Sequence, residues 1–269
     1  MKMWSKSVLS LMMAGAMVVV AACGNNGDAK EQTPSAEKVE LTISAAASLT
    51  DAMTDIQQAY AEQAPNVTLT FNFGASGALQ QQIEEGAPAD LFLSAATKNM
   101  TALVDKGLIE QDQTVTLLNN ELVAVVPKEG GPDIAGAADL SSDSVKFIAI
   151  GIPESVPAGQ YAQDSLTASG LWDSLQKKLV QGKDVKQVLQ YVETGNADVG
   201  FVYKTDALVS DKVKIAYTVD PATYKKVEYP IGIVKASAHQ EAAAAFYEYL
   251  QSEDAMSIFT GYGFSAPNE

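Results

Sequence analysis

The stretch VELTISAAASLTDAMTDIQQAY, residues 39–60, decides the fold class. Its first five residues alternate apolar and polar side chains, which is the period of a β-strand. From Leu49 onward the apolar residues recur every three or four positions, the period of a helix that buries one face. A strand that leads into a helix through small residues, here three alanines between Ser44 and Ser48, is typical of a parallel sheet covered by helices.

The alternation of strands and helices continues along the rest of the chain. It predicts strands over 67–73, 90–95, 122–126, 147–150, 199–203, 213–218 and 231–234. It predicts helices around Leu79 and Ile83 and over 97–106, 157–169, 171–178, 184–194, 238–250 and 253–262. The strands group into two α/β units joined by two crossings, near 120–126 and 225–230. We therefore expect an α/β protein of two lobes with a cleft between them.

The first residues are typical of an export signal. Lys2 and Lys6 precede an uncharged, mostly apolar run over residues 8–22. This run is shorter than the roughly 20 residues that span a membrane. The run ends in Val20-Ala21-Ala22-Cys23, which resembles a bacterial lipobox and implies a lipid on Cys23. An ordinary signal peptide with a chance cysteine is the alternative. We expect a signal peptide over 1–22, a flexible tether over 23–38, and a lipid-anchored protein at the outer face of the cytoplasmic membrane.

Composition excludes several classes of protein. The net charge of −15 opposes nucleic-acid binding. Cys23 is the only cysteine and His239 the only histidine, so the sequence offers no internal disulfide and no zinc-ligand set. We expect His239 to be a solvated surface residue. No phosphate-binding or nucleophile-elbow motif occurs, and we predict a binding protein that is not an enzyme and holds neither a cofactor nor a directly bound metal ion.

Small or hydroxyl residues recur where a strand gives way to a helix. Ser48 and Ser76 begin two helices, and Ala158 and Val185 lie at the starts of two more. The N-terminus of a helix exposes unpaired N–H groups and binds anions without a cationic side chain. All 18 basic residues are lysines, so the chain lacks the arginine fork that usually binds oxyanions. Ordinary helix capping, such as a capping box of Ser48 with Asp51, is the alternative.

Several motifs along the folded part carry a family resemblance. They are AAASLT at 45–50, FGASG at 73–77, GAPADLFLSA at 86–95, VPAGQY at 156–161, ADVGFVY at 197–203 and YP at 229–230. With them the chain resembles the molybdate-binding proteins of bacterial ABC importers over about residues 39–265. That family implies a two-lobed class II periplasmic-binding-protein fold, in which each lobe is a mixed, mostly parallel sheet flanked by helices. It implies lobe 1 over 39–122, lobe 2 over 123–226 and a return to lobe 1 over 227–269.

The resemblance also implies the ligand and its donors. Ser48 and Ser76 would supply hydroxyl and backbone N–H groups, Ala158 and Val185 backbone N–H groups, and Tyr203 its phenol or N–H. Molybdate, with tungstate beside it, would lie between the lobes, bringing molybdenum only as the oxyanion. A monomer would then deliver it to a membrane permease. The family often carries further serines around Ser76, which this chain lacks.

Other functions remain open at the level of sequence. The nearest is a binding protein for another oxyanion such as sulfate. An amino-acid binder fits less well because the chain has no arginine, and a ferric-ion binder because Tyr203 has no clustered ligand beside it. A Ser-dependent hydrolase built on Ser76 would have to use His239 as its base.

Overall fold

The computed structural model describes residues 38–267. The expected signal peptide over 1–22, the lipidation site Cys23, and all of the expected tether except Lys38 lie outside the described residues.

The described residues form two five-stranded sheets flanked by helices. In chain order the strands are β1 Val39–Ala46, β2 Val67–Gly74, β3 Leu91–Leu93, β4 Ile109–Asn120, β5 Leu122–Pro127, β6 Ile148–Gly151, β7 Leu179–Gly182, β8 Val199–Tyr203, β9 Val213–Thr218 and β10 Val227–Val234. The helices are α1 Thr50–Gln63, α2 Ser76–Glu84, α3 Thr97–Asp105, α4 Pro157–Ala168, α5 Trp172–Leu175, α6 Val185–Glu193, α7 Lys204–Leu208, α8 Gln240–Leu250 and α9 Glu253–Gly261.

The two sheets follow the same plan. The first has the order β2-β1-β3-β10-β4, in which β1 runs parallel to β2 and β3 while β10 is antiparallel to both of its neighbours. The second has the order β7-β6-β8-β5-β9, in which β6 runs parallel to β7 and β8 while β5 is antiparallel to both of its neighbours. Each is a mixed sheet with three adjacent parallel strands, so the predicted fold class is confirmed.

The central strands are buried on both faces. The side chains of β3 and of Leu122–Val126 in β5 are fully buried, as expected for strands that helices cover on each side. Helix α6 packs Val188 and Val192 against β8, where a Cβ atom at Gly200 would lie 2.6 Å from Val192 Cγ2. The short apolar runs in the sequence therefore become the core of each sheet.

The chain passes between the sheets twice. Only Glu121 separates β4 of the first sheet from β5 of the second, and residues 219–226 lead back from β9 to β10. Both passages lie close to the predicted crossings. The lobe boundaries at 122/123 and 226/227 remain a prediction.

The sequence pattern fails to predict three elements of the fold, β4, β7 and α7. Strand β4 is half-exposed for most of its length, so its twelve residues lack a clean alternation. Strand β7 and helix α7 have only four and five residues, too few to show a period. The predicted helix over 171–178 divides into α5 and a 3-10 turn. Strand β10 begins four residues before the predicted start, since Pro230, a residue that argues against a strand in sequence, is accommodated at a register shift in the ladder with β4.

Candidate anion-binding site

A small cavity lies where the two lobes meet. Its volume is about 10 Å³, far below the roughly 300–1,000 Å³ typical of sites for organic ligands. Its lining consists of Ala46, Ala47, Ser48, Gly74, Ala75, Ser76, Ala95, Val156, Pro157, Ala158, Val185 and Tyr203. All five residues that the sequence marks as candidate ligand donors are in this set. Its size suits a small ion.

Ser48 lies in a 3-10 turn, Ala47–Leu49, that separates β1 from α1. Its hydroxyl does not cap either helix, so the capping box with Asp51 is wrong as an alternative. Instead Ser48 Oγ lies 2.8 Å from the phenolic oxygen of Tyr229, in a buried hydrogen bond. The Ser48 side chain is thereby held by a residue of β10, which is separated from β1 by β3 in the first sheet.

Ser76 is the first residue of α2, and Ala75 occupies the capping position without a side-chain bond. Ser76 Oγ accepts a 2.9 Å hydrogen bond from the Ala95 N–H. The side chain is nearly fully buried. Because the main chain fills an acceptor position of this oxygen, the hydroxyl proton remains available to a ligand in the cavity.

The second lobe brings helix N-termini to the cavity. Ala158 follows Pro157, which occupies the first position of α4 as predicted. This helix start lies so close to β6 that a Cβ atom at Gly159 would be 2.0 Å from the Gly151 carbonyl oxygen. Glycine at both positions therefore permits the approach that presents the first N–H groups of α4 to the cavity.

Val185 is the first residue of α6. Asp184 caps this helix by accepting a 2.8 Å hydrogen bond from the Gln187 N–H. The N–H of Val185 comes before the first intrahelical hydrogen bond and therefore has no partner in its own helix. The cap thus satisfies a donor further along α6 and leaves the Val185 N–H for the cavity.

Tyr203 ends β8, and its side chain is almost completely buried. Within residues 38–267 its hydroxyl has no hydrogen-bond partner. Burial raises the pKa of this phenol well above its usual value, so it stays protonated. An unpaired buried donor is costly, and a ligand acceptor would satisfy it.

Contacts across the cleft hold the lobes together. The Gly77 N–H at the start of α2 donates to the Ser155 carbonyl oxygen at 2.9 Å. Lys186 of α6 lies 2.6 Å from Asp51 of α1 and 3.3 Å from Asp206 of α7. Sequence reasoning missed this cluster because its three members are far apart in the chain.

Asp206 is completely buried. Burial raises the pKa of its carboxyl to about 6, although the nearby Lys186 ammonium favours the charged form. Burial lowers the pKa of Lys186, but Asp206 and Asp51 outweigh it and the net shift is upward. Lys186 is therefore a cation that these carboxylates already neutralise.

Ser76 and His239, the pair that the hydrolase alternative requires, line different cavities. His239 is exposed, precedes α8 and lines a separate hollow with Tyr60. None of the residues lining the cavity is His, Asp, Glu or Lys. Over residues 38–267, no group of three His, Cys, Asp or Glu residues could hold a metal ion, and no helix is long and apolar enough to cross a bilayer.

A larger groove is lined by residues of α3 and α4 together with Lys225 and Lys226, and its volume is about 340 Å³. None of the five candidate donors lines it. Its volume is that of a site for an organic molecule, far larger than a small ion needs.

Comparison with known proteins identifies a family. The sequence profile of the bacterial extracellular solute-binding proteins matches residues 41–265. The chain is 49% identical, over 98% of its length and 100% of the relative, to the "Putative ABC transporter substrate-binding lipoprotein YvgL" of Bacillus subtilis. It is 40% identical to the molybdate-binding protein ModA of Haemophilus influenzae, over 86% of this chain and 92% of that protein.

A solved structure agrees with the sequence relatives. The periplasmic molybdate-binding protein of Azotobacter vinelandii superimposes with a TM-score of 0.78 at 26% identity, covering 84% of this chain and 99% of that one.

Proposed function

Because this chain belongs to the family of bacterial extracellular solute-binding proteins, we propose that it is the extracytoplasmic receptor of an ABC transporter and that its ligand is molybdate. The observation that carries the proposal is the convergence of Ser48, Ser76, Ala158, Val185 and Tyr203 on one small cavity. The names of its relatives support the same ligand.

Neutral donors suffice for the binding energy. A hydrogen bond to a charged group contributes about 1.5–3 kcal/mol. Micromolar to nanomolar affinity corresponds to about 8–12 kcal/mol. The hydroxyl and N–H groups of five residues supply about five to seven such bonds, enough after the cost of ordering the ligand. The charge of −15 slows the approach of an anion but is screened beyond about 8 Å at physiological salt.

The arrangement also suits binding followed by release. The donors come from both lobes, so an anion between them stabilises the closed form, and the two chain passages serve as hinges. The closed form would then present both lobes to a permease. Among the cavity residues nothing acts as a general base, which supports a binding protein over a hydrolase.

Finer features of the proposal rest on the residues alone. Tungstate has the same shape and charge as molybdate, so we expect it to bind too. A signal peptide over 1–22 and a lipid on Cys23 would hold the protein at the outer face of the cytoplasmic membrane. We expect a monomer with no cofactor.

The test is a thermal-shift screen followed by calorimetric titration with molybdate, tungstate, sulfate and phosphate. Ligand binding to the native state raises the melting temperature, and we expect molybdate and tungstate to raise it most. The double variant Ser48→Ala, Ser76→Ala should weaken molybdate binding by well over tenfold while remaining folded. Sulfate binding as tight as molybdate binding would assign the site to another oxyanion. Unchanged molybdate affinity in the double variant would show that neither serine contacts the ligand.

A further inference from the structure

The side chain of Asn120 has a defined orientation at the end of β4. Its Oδ1 accepts a 2.8 Å hydrogen bond from the Glu121 N–H. Its Nδ2 lies 2.9 Å from Thr205 Oγ1 and 3.3 Å from the Tyr229 hydroxyl. A flipped amide would place its NH₂ group against the Glu121 N–H, two donors facing each other. Asn120 therefore presents donors to Tyr229.

The donor–acceptor direction set by Asn120 continues through the Tyr229 hydroxyl. This hydroxyl is buried and accepts from Asn120. The Tyr203 phenol is a further neighbour but is itself protonated. Ser48 Oγ, at 2.8 Å, is therefore the acceptor to which we assign the Tyr229 proton. Ser48 Oγ then accepts, and its own proton is left for the cavity. The chain of hydrogen bonds runs from Asn120 to Tyr229 to Ser48, with one direction throughout.

The Ser76 hydroxyl is also left as a donor, because its oxygen accepts a hydrogen bond from the Ala95 N–H. Both cavity serines are thus held as donors, one by the main chain and the other by two side chains. A fully deprotonated oxyanion offers only acceptors and matches them. A protonated oxyanion such as hydrogen phosphate would bring an O–H against a donor, and a mismatched pair of this kind strongly disfavours the wrong ligand.

We propose that Asn120 and Tyr229 are positioning residues that hold Ser48 as a hydrogen-bond donor and thereby select fully deprotonated oxyanions over protonated ones. The proposal rests on the proposed function, because it concerns the specificity of the same cavity. Neither residue lines the cavity. Tyr229 acts through Ser48, and Asn120 acts through Tyr229.

The test compares sulfate with phosphate, which have similar sizes but differ at neutral pH in carrying a proton. Direct calorimetric titration with each anion gives the affinity ratio of the two. We expect the wild-type protein to favour sulfate over phosphate by at least tenfold. In Tyr229→Phe the Ser48 hydroxyl is free to rotate and to accept, so the ratio should fall by about tenfold and molybdate should bind about three- to tenfold more weakly.

A double-mutant cycle separates positioning from general loss of structure. In a Ser48→Ala background, Tyr229→Phe should cause no further loss of molybdate affinity. Tyr217→Phe is the matched control, because it removes another buried hydroxyl, on β9 away from the cavity, and should leave the anion ratio unchanged.

The outcomes are distinct. Equal weakening of all anions by Tyr229→Phe, or additive losses in the cycle, would overturn the proposal. A wild-type protein that ignores molybdate but prefers sulfate to phosphate would contradict the assigned ligand and leave the positioning role intact. A protein that binds none of the three anions would contradict both.

Discussion

In the site that we propose, the two sides of the cavity would bind the anion with different chemical groups. The first lobe contributes the side-chain hydroxyls of Ser48 and Ser76, which follow the parallel strands β1 and β2. The second lobe contributes backbone N–H groups at Ala158 and Val185, at the starts of α4 and α6. Hydroxyl donors depend on residue identity, whereas backbone donors depend on where a helix begins. A point substitution therefore removes the first kind easily, but only a change to the backbone removes the second.

Two tightly packed glycines differ in whether their contact lies within one lobe or between the lobes. A Cβ atom at Gly159 would collide with Gly151 inside the second lobe, whereas a Cβ atom at Gly77 would lie 2.7 Å from the Ser155 carbonyl oxygen across the cleft. The first contact shapes one lobe. The second exists only where the lobes meet.

The largest expected effect comes from Gly77→Ala. The added methyl group meets backbone atoms that cannot move aside, so the lobes cannot close fully and the donors of the second lobe stay away from the anion. We expect molybdate affinity to fall at least hundredfold in calorimetry, with little change in the melting temperature of the free protein. Gly136→Ala is the control, since a Cβ atom there meets nothing within 4 Å. Normal affinity in Gly77→Ala would show that the bound lobes do not meet at Ser155.

The next prediction tests the backbone donors. Val185→Pro deletes one N–H at a position where proline is favoured, and the extended conformation of Asp184 suits a residue before proline. We expect α6 to remain folded and molybdate affinity to fall about thirtyfold, the value of a charged hydrogen bond.

Val185→Ala keeps the N–H and serves as the control, with a small effect expected. If both variants bind equally well, the Val185 N–H does not contact the ligand and the contrast between the lobes is weaker than proposed.

The smallest effect concerns the buried charge of the second lobe. The pKa of Asp206 is about 6 in the folded protein, above its unfolded value near 4. The folded state therefore binds more protons between these values, so this group's unfavourable contribution is full above pH 6 and disappears as the pH falls towards 4. Chemical denaturation at pH 7 and pH 5 should show the wild-type protein gaining about 1 kcal/mol of unfolding free energy relative to Asp206→Asn. Identical pH dependence in both proteins would mean that Asp206 is not the titrating group.

Much of the fold followed from local pattern. Strand β1 begins with alternating apolar and polar residues, β8 is a short apolar run, and α4 has Pro157 at its start. Strand β4 shows no local pattern because it is half-exposed, and the sequence predicts too short a β10 because Pro230 argues against a strand, although the ladder accommodates it at a register shift. These features depend on which strands become neighbours, which no local window contains.

The candidate donors divide in the same way. Ser48 and Ser76 could be singled out because they recur at helix starts in a chain that has no arginine to bind an oxyanion, and the family motifs pointed to Ala158, Val185 and Tyr203. Tyr229 belongs to one of the family motifs, but the sequence predicted no role for it. No sequence pattern indicated Asn120. Lys186 and Asp206 likewise looked like ordinary polar residues of helices.

The sequence by itself determined the alternation of strands and helices, the presence of a single histidine and a single cysteine, and the residue types that could donate to an oxyanion. These are properties of composition and of short windows, governed by side-chain period and backbone conformation. Only the tertiary structure decided which way the donors point. Ser48 is held by Tyr229 from 181 positions away, and Lys186 pairs with Asp51 across the cleft. Hydrogen-bond direction and burial depend on neighbours that only folding brings together.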